Sequence, residues 1–369
     1  MPSIKNHKYY LILAHNYSLK FLGNTYPNPS VGCIIVDYNS NKNGKIISYG
    51  YTGKSGRPHA EEVALKKIKK FSRKVFLYVT LEPCFHKSLN RSCVDQIIKS
   101  GIKNVCIASK DPDKRTNNKS ISKLKKNGIK VLVGITKNQT FINNRFFFVN
   151  KKFNRSYIKY KIAASKDFKI AKSNFNSKWI SNKYSRNFVH DLRYKNDAIL
   201  TTYNTIKYDN PRLTLRYKNY PKYKNSIIIL DSKLQIDRNS TVVKSANKRK
   251  VIIFTISKDI KKIQILKKLN CNIITVNKVK NNFDLLSIFK KTYKLGISSI
   301  FIEAGGTLFT SMYNKKLIDE FHLFVSPKKI GKNGIPMYSG IKDFSLKTIK
   351  NLLITKRYFY KDKYYQFNM

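Results

Sequence analysis

Apolar runs of strand length alternate with amphipathic stretches along the first 135 residues of the chain. The runs cover residues 31–37, 75–81, 104–109 and 129–135, and helix-like stretches lie between them at 60–71, 94–101 and 120–128. Gly101 and Gly128 close two of these stretches, as is typical of helix C-caps. Because near-continuous apolar strands alternating with helices favour a sheet covered on both faces, the pattern predicts an α/β layered domain.

A second α/β series begins near residue 157. Its strand candidates are 157–165, 197–202, 226–231, 251–255, 272–276, 298–304 and 320–327. Its two clearest helical stretches are 259–269 and 283–293. The aromatic residues of 143–157 are crowded rather than periodic, which places a boundary near 148. A chain of 369 residues is also long for one domain. We therefore expect domains at 1–147 and 148–369.

The formal net charge of +54 is extreme and invites a nucleic-acid or membrane interpretation. The lysines are spread over the whole chain, however, together with abundant Asn, Ile, Tyr and Phe, whose codons are AT-rich. Drift in genome composition explains that distribution better than a dedicated polyanion surface does. Such a field would still attract small phosphorylated substrates.

The cysteines and the N-terminus bear on the compartment. Five cysteines are a poor basis for a disulfide framework and suit a reducing compartment. The apolar patch at 9–14 is too short for a signal sequence, and no run approaches an 18-residue apolar span. The sequence therefore predicts a cytoplasmic protein without a membrane partner.

The strongest chemical signal is a set of metal-ligating residue types. Residues 58–61 read PHAE, and Cys84 and Cys93 follow. One imidazole and two thiolates would leave the fourth position of a tetrahedral zinc open for water, as in catalytic sites. Zinc lowers the pKa of that water towards about 7. Glu61 is then the proton shuttle of the H-x-E signature of zinc deaminases, with His59 as a ligand.

Local structure must bring these groups together. Residues two apart diverge within a regular helix, so His59 is expected at a helix start, where Pro58 is well tolerated. Cys93 directly precedes a helical stretch, and helix N-termini favour thiolate over thiol. Singly, His59 is explained as a capping residue and Cys84 as a small buried hydrophobe. Their joint occurrence favours the metal site.

These motifs resemble the bifunctional pyrimidine deaminase/reductase family of riboflavin synthesis. The matching segments are TYPNPSVGCIIV (25–36), PHAE (58–61), LEPC (81–84) with Cys93, and DPD (111–113). Cytidine and tRNA-adenosine deaminases place their cysteines as P-C-x-x-C, whereas eight residues separate Cys84 from Cys93 here. The resemblance implies that Asn28 and His86 contact the substrate. Segment 85–92 departs from the family pattern, since its Gly, basic residue and Thr are replaced.

The resemblance continues from about residue 157 to 327. Matching segments include IKYKIAAS (158–165), DLRYKNDAIL (191–200), LTLR (213–216) and EAGGTLF (303–309). It implies a dihydrofolate-reductase-like domain that binds NADPH through Ala163, Trp179, Thr205, Asp209, Ser232, Gly305, Gly306, Thr307, Leu308, Phe309, Thr310 and Ser311. The substrate-binding residues that it implies are Ser177, Arg193, Leu213, Arg216 and Glu303.

Elementary chemistry is consistent with these roles. Gly305 and Gly306 follow a strand and open a helix, where backbone N–H groups can hold a phosphate. Arg193 and Arg216 are permanent cations with forked donors that suit phosphate, although any single Arg in so basic a chain is more simply a surface residue. Phe168 stands where the family has Gly, which matters if the backbone there needs a positive φ. Segment 173–180 also departs from the pattern.

Together these observations predict a cytidine-deaminase-like three-layer α/β/α domain followed by a dihydrofolate-reductase-like α/β domain. The resemblance implies zinc-dependent deamination of 2,5-diamino-6-(ribosylamino)-4(3H)-pyrimidinone 5′-phosphate, then NADPH reduction of the ribosyl to a ribityl side chain. It implies a small phosphorylated pyrimidine as partner, no nucleic acid, and a homo-oligomer. The rivals are a nucleic-acid or nucleoside base deaminase with a basic C-terminal module, which predicts steeply salt-sensitive RNA binding, and a degenerate relative without chemistry.

Overall fold

The chain folds into two units, Met1–Asn154 and Arg155–Met369. The computed structural model describes residues 2–22, 25, 28–39, 41–66, 68, 74–86, 91–174, 179–279, 282–338, 340 and 349–369. The division falls after helix Arg145–Phe153, and the boundary expected at 147/148 lies inside that helix. Among the described helices, none combines the length and the apolar character needed to cross a membrane.

The first unit is a five-stranded sheet with helices. Its elements are α1 (Ile4–Ser18), β1 (Gly32–Asp37), β2 (Lys45–Tyr51), α2 (Ala60–Lys66), β3 (Val75–Val79), α3 (Cys93–Ser100), β4 (Asn104–Ile107), α4 (Lys119–Lys126), β5 (Lys130–Val133), α5 (Lys137–Asn143) and α6 (Arg145–Phe153). The strand order is β2-β1-β3-β4-β5. Strands β3, β4 and β5 are parallel, and β1 is antiparallel to both of its neighbours. The four strands expected from the apolar runs are confirmed.

Helices α1 and α5 and strand β2 of this unit were not expected from the pattern, and one stretch was interpreted differently. Helix α1 packs Tyr10, Leu11 and Ala14 against the sheet, but charged and polar residues interrupt its apolar face. Strand β2 is an edge strand with mostly exposed side chains, so it lacks an apolar run. The crowded aromatics after 143 lie in α6, where Phe147 is buried against the core.

The second unit is built on a nine-stranded sheet. Its elements are β6 (Tyr157–Ala164), β7 (Lys169–Ala171), α7 (Lys183–Tyr194), β8 (Ala198–Thr202), α8 (Tyr203–Asp209), β9 (Ser226–Leu230), α9 (Thr241–Lys244), β10 (Val251–Thr255), α10 (Ile260–Lys268), β11 (Cys271–Thr275), β12 (Lys278–Val279), β13 (Asn282–Phe283), α11 (Leu285–Lys294), β14 (Ser299–Glu303), α12 (Gly306–Asn314), β15 (Glu320–Val325), β16 (Ile335–Pro336), β17 (Leu353–Phe359) and β18 (Asp362–Asn368). The order is β11-β10-β9-β8-β14-β6-β15-β18-β17. All pairings from β11 to β15 are parallel, and the C-terminal hairpin is antiparallel.

This topology decides where a ligand can bind. The carboxyl ends of parallel strands meet at one edge of a sheet, and the loops that leave them form a crevice. Strands β8, β9 and β14 end at Thr202, Leu230 and Glu303, which line one cleft of about 1060 Å³. Buried apolar clusters cover the sheet that carries these strand ends.

Candidate zinc centre and candidate reductase cleft

His59, Cys84 and Cys93 converge in the first unit. Their ligand atoms all lie within 4.8 Å of one another. His59 Nδ1 is 3.2 Å from Cys93 Sγ and 3.6 Å from Cys84 Sγ. Zinc–ligand bonds of about 2.0–2.3 Å in a tetrahedron would separate the donors by about 3.5 Å. The three side chains therefore fit a zinc ion.

The start of α2 presents His59. The residue precedes Ala60, the first residue of the helix, as the sequence predicted. Its backbone N–H donates to Glu62 Oε2 at 2.8 Å, and its carbonyl accepts from Val63 N at 3.2 Å. This return of a glutamate to the cap residue is half of a capping box. Glu62 was not predicted from the sequence, although a Glu three positions after a helix cap is the signal of this arrangement.

Glu61 lies one residue into the same helix and is nearly fully buried. Burial raises the pKa of its carboxyl to about 7, against the opposing effect of His59. A carboxyl with such a pKa can both accept and give a proton near neutral pH. That is the property that a proton shuttle needs.

The two cysteines are held by a loop and a helix start. Cys93 is the first residue of α3, and its backbone N–H donates to Cys84 Sγ at 3.3 Å. Hydrogen bonds from Cys93, outweighing burial, lower the pKa of Cys84 to about 4. A sulfur that accepts a hydrogen bond at a helix N-terminus is stabilised as the thiolate, the form that binds metal.

The expected substrate contacts of this site are only partly described. Asn28 Nδ2 lies 3.4 Å from His59 Nε2 and donates to Gly56 O at 2.9 Å, so its amide adjoins the ligand cluster. Burial lowers the pKa of the His86 imidazole, and the positive charge of Arg115 lowers it further. Residues 87–90 of the segment between the cysteines lie outside the described residues.

A second missed residue supports the loop that carries Cys84. The Glu82 carboxylate accepts backbone hydrogen bonds from Asp111, Asn118 and Ile121 at 3.1–3.4 Å. It thereby ties the loop after β3 to the start of α4. A buried carboxylate that accepts several N–H groups is a rigid anchor, because releasing it would leave those donors unpaired.

The cleft of the second unit gathers most of the residues expected to bind cofactor and substrate. The lining includes Ala163, Trp179, Arg193, Thr205, Asp209, Leu213, Arg216, Ser232, Glu303, Gly305, Gly306, Thr307, Leu308 and Ser311. Ser177 lies outside the described residues. Phe309 and Thr310 are not among the lining residues.

Helix periodicity explains the place of Phe309. Gly305 caps α12, and Gly306, Phe309 and Met312 form its buried face. The Phe309 ring packs against Tyr160 and Phe321 in the core. Residues three apart share one helix face, so a contiguous motif such as 305–311 cannot face the cleft throughout. The glycine pair does open the helix, as the sequence predicted.

Glu303, at the end of β14, is held in the cleft by neighbouring cations. Arg193 Nε and Nη2 donate to its two oxygens at 2.5 and 3.1 Å, and Lys161 Nζ lies 3.9 Å from Oε2. Burial opposes ionisation, yet Arg193 and Lys161 hold the pKa of Glu303 below its usual value. The Arg193 guanidinium is therefore paired with a carboxylate. Of the two arginines that suit a phosphate, Arg216 is the one that remains exposed. Lys161 was missed because it reads as an ordinary strand lysine.

Two family models and a full-length relative match this chain. The family model "RibD C-terminal domain" matches residues 156–357, and "cytidine and deoxycytidylate deaminase zinc-binding region" matches residues 4–109. The riboflavin biosynthesis protein RibD of Aquifex aeolicus is 34% identical over 95% of this chain and 94% of its own. The chain belongs to the RibD family. Its RibD relatives combine a deaminase with a reductase in riboflavin biosynthesis, and so does this chain.

Solved RibD structures share the fold over the full length. Acinetobacter baumannii RibD has a TM-score of 0.84 with 25% identity, and covers 99% of each chain. The Thermotoga maritima diaminohydroxyphosphoribosylaminopyrimidine deaminase/5-amino-6-(5-phosphoribosylamino)uracil reductase has a TM-score of 0.81 with 28% identity, again over 99% of each chain. The cytidine-deaminase-like and reductase folds expected from the sequence are thereby confirmed.

The RibD family assigns zinc to the first domain and NADPH to the second. The His59–Cys84–Cys93 cluster has the donor set that zinc prefers. The second domain offers backbone N–H groups at the start of α12, with Gly305 open to the cleft, since a Cβ there would meet no atom nearer than Ile170 Cδ1 at 4.0 Å. Both cofactors of the RibD family therefore suit the residues present.

Proposed function

We propose that this chain deaminates 2,5-diamino-6-(ribosylamino)-4(3H)-pyrimidinone 5′-phosphate and then reduces its ribosyl group to ribityl with NADPH. The observation that carries the proposal is the His59–Cys84–Cys93 cluster beside a buried Glu61. This donor set with an adjacent carboxylate is the arrangement of zinc deaminases.

In the deaminase, the three ligands would hold zinc, which when bound supplies an activated water at neutral pH. Glu61 takes a proton from the water at its carboxylate as the water oxygen bonds to the amino-bearing carbon. It delivers that proton to the amino nitrogen, which leaves as ammonia when the C–N bond breaks. Asn28, beside His59, and His86 orient the pyrimidine. Burial of Glu61 excludes bulk water from this proton transfer.

In the reductase, the backbone N–H groups at the start of α12 would hold a phosphate of NADPH. Trp179, Thr205 and Ser232 line the same cleft and complete the cofactor side. Ionised Glu303 accepts hydrogen bonds from substrate hydroxyls, with Arg193 fixing its orientation. Arg216 binds the substrate phosphate. When bound, NADPH would supply the hydride that opens the ribosyl ring, while Glu303, Arg193 and Arg216 hold the substrate in place.

The decisive experiment incubates zinc-loaded protein with this substrate and NADPH, and follows products by mass spectrometry. We expect the deaminated, reduced product from the wild type. Glu61→Gln should keep one zinc per chain and lose deamination by about 10²-fold or more, while still reducing supplied deaminated substrate. Glu303→Gln should show the reverse pattern. An intact substrate with wild-type protein would refute the proposal.

We further propose a small-molecule partner in the cytoplasm, without nucleic acid or membrane. Cys84 and Cys93 must stay reduced to hold a metal, which fits a reducing compartment. The wide cysteine spacing separates the chain from nucleic-acid deaminases with P-C-x-x-C. RNA binding with a steep salt dependence would contradict this. The family resemblance supports a homo-oligomer, which analytical ultracentrifugation tests.

A further inference from the structure

Arg249, just before β10, is a buried guanidinium without an ion pair among the described residues. It is 8% exposed. Its Nη1 donates to Leu213 O and its Nη2 to Arg212 O, both at 2.7 Å, while Nε donates to Ser245 Oγ at 2.9 Å. A buried charge is costly unless its donors are satisfied. Two of its acceptors here are carbonyls of one loop.

That loop, residues 210–216, carries the expected substrate contacts Leu213 and Arg216. Leu213 adopts φ +46, in the left-handed region that non-glycine residues avoid. Its side chain is buried in the apolar cluster that includes Val242 and Val243. A conformation of this kind persists only where surrounding contacts impose it. The two Arg249 hydrogen bonds fall on Leu213 itself and on the residue before it.

Further contacts fix the loop from both sides. Asn210 Oδ1 accepts from Thr241 N at 2.9 Å, at the start of α9. On the cleft side, Arg193 Nη1 donates to Thr214 O at 3.0 Å. Consecutive carbonyls of residues 212–214 are therefore held by two guanidinium groups, one in the cleft and one behind it. Arg216 and Arg212, at either end of the buried stretch 213–215, both line the cleft.

We propose that Arg249 is a positioning residue of the reductase, which fixes the left-handed turn at Leu213 and thereby aims Arg216 at the phosphate of the substrate. This inference rests on the proposed function, in which this loop binds the substrate. Arg249 contacts neither ligand and acts only through the loop. Arg249 donates hydrogen bonds to none of the residues expected to bind NADPH, so we expect the cofactor to bind independently of it.

The test measures reductase kinetics of Arg249→Met in the full-length protein, with deaminase activity as an internal control. We expect KM for the deaminated ribosyl substrate to rise by about tenfold, because hydrogen bonds to a charged donor are lost. The kcat, KM for NADPH and deaminase activity should stay within about twofold, so that only substrate binding reports the change. Arg249→Lys keeps the charge with fewer donors and should raise KM by about threefold.

Arg155→Lys is the matched control, since Arg155 is 6% exposed and pairs with Asp319 away from the cleft. It should lower the melting temperature without changing either KM. Equal rises in both KM values, or lower stability alone in the Arg249 variants, would overturn the inference. Arg249→Lys decides the matter if Arg249→Met does not fold.

Arg216→Ala separates the two proposals. An unchanged substrate KM in this variant refutes the role of the loop in substrate binding. A raised KM in Arg216→Ala with unaffected Arg249 variants refutes only the positioning role.

Discussion

At the residue scale, both sites depend on side chains that hold another group in place. The Glu62 carboxylate accepts a hydrogen bond from the His59 backbone N–H, and Arg193 donates two hydrogen bonds to the Glu303 carboxylate. Neither supporting residue follows from the ligand motif itself. Groups behind a metal ligand commonly set its orientation and affinity. Substitution of such residues should therefore change binding while the reacting groups stay intact.

Glu62→Ala should lower zinc affinity by about tenfold to a hundredfold, because His59 loses the acceptor that fixes its backbone. Competition with a chelator measures this. Glu62→Gln still offers an oxygen to the His59 N–H and should retain most of the affinity. Equal zinc affinities for both variants and the wild type would show that the cap does not position the ligand.

Phe168 bears directly on a departure from the family pattern. Its φ is +57, so the backbone does require the left-handed region there. We expect Phe168→Gly to be more stable than Phe168→Ala by about 1 kcal/mol, since only glycine adopts this region without strain. Chemical denaturation measures the difference. At exposed Lys291, inside α11, the order of Gly and Ala should reverse. The same order at both positions would contradict this account.

At the element scale, the start of α12 joins the proposed cofactor site to the core. Gly305 faces open space in the cleft, whereas a Cβ on Gly306 would lie 2.6 Å from Met337 O and 2.9 Å from Pro336 O. The two glycines of one motif thus serve different purposes. Gly305 gives a ligand access to the backbone. Gly306 lets α12 approach the segment that contains β16.

Gly306→Ala should lower the free energy of unfolding by about 1–3 kcal/mol, because backbone must shift to admit the methyl group. Gly305→Ala should leave stability near that of the wild type and weaken NADPH binding, since its methyl group would occupy the cleft. Thermal denaturation and a fluorescence titration with NADPH separate the two effects. Loss of stability in Gly305→Ala, with Gly306→Ala unaffected, would reverse our assignment.

At the scale of the whole molecule, acid should destabilise the fold through buried neutral histidines. Burial lowers the pKa of His15 in the first domain and of His190 in the second to about 4. The unfolded chain binds these protons more tightly, so stability falls as the pH drops from about 6.5 towards 4. Above about pH 6.5 the contribution of each histidine is fully present.

For His15, 2% exposed, the loss amounts to about 3 kcal/mol between these pH values. His15→Gln removes the titrating group and should flatten the pH dependence of the first domain. Chemical denaturation at pH 4.5 and 7 provides the comparison. A variant whose stability falls with pH as steeply as that of the wild type would show that other groups dominate.

Much of this protein could be derived from its sequence, because short-range signals carry chemistry. The H-x-E motif and the wide cysteine spacing indicated a zinc deaminase of one family. The apolar runs located the strands of both sheets except β2, β17 and β18. The glycine pair marked the start of α12. These signals are local: strand periodicity, helix caps and ligand types depend on neighbours in the chain.

The tertiary structure decided what local patterns could not. It turned Phe309 into the core, placed α1 and β2 in the first domain despite weak apolar signals, and committed Arg193 to Glu303. It also brought Arg249 to the loop that carries Leu213. These outcomes depend on helix phase and on hydrogen bonds between residues tens of positions apart. Residue type alone does not reveal them, because the partner of a buried charge is selected by the fold.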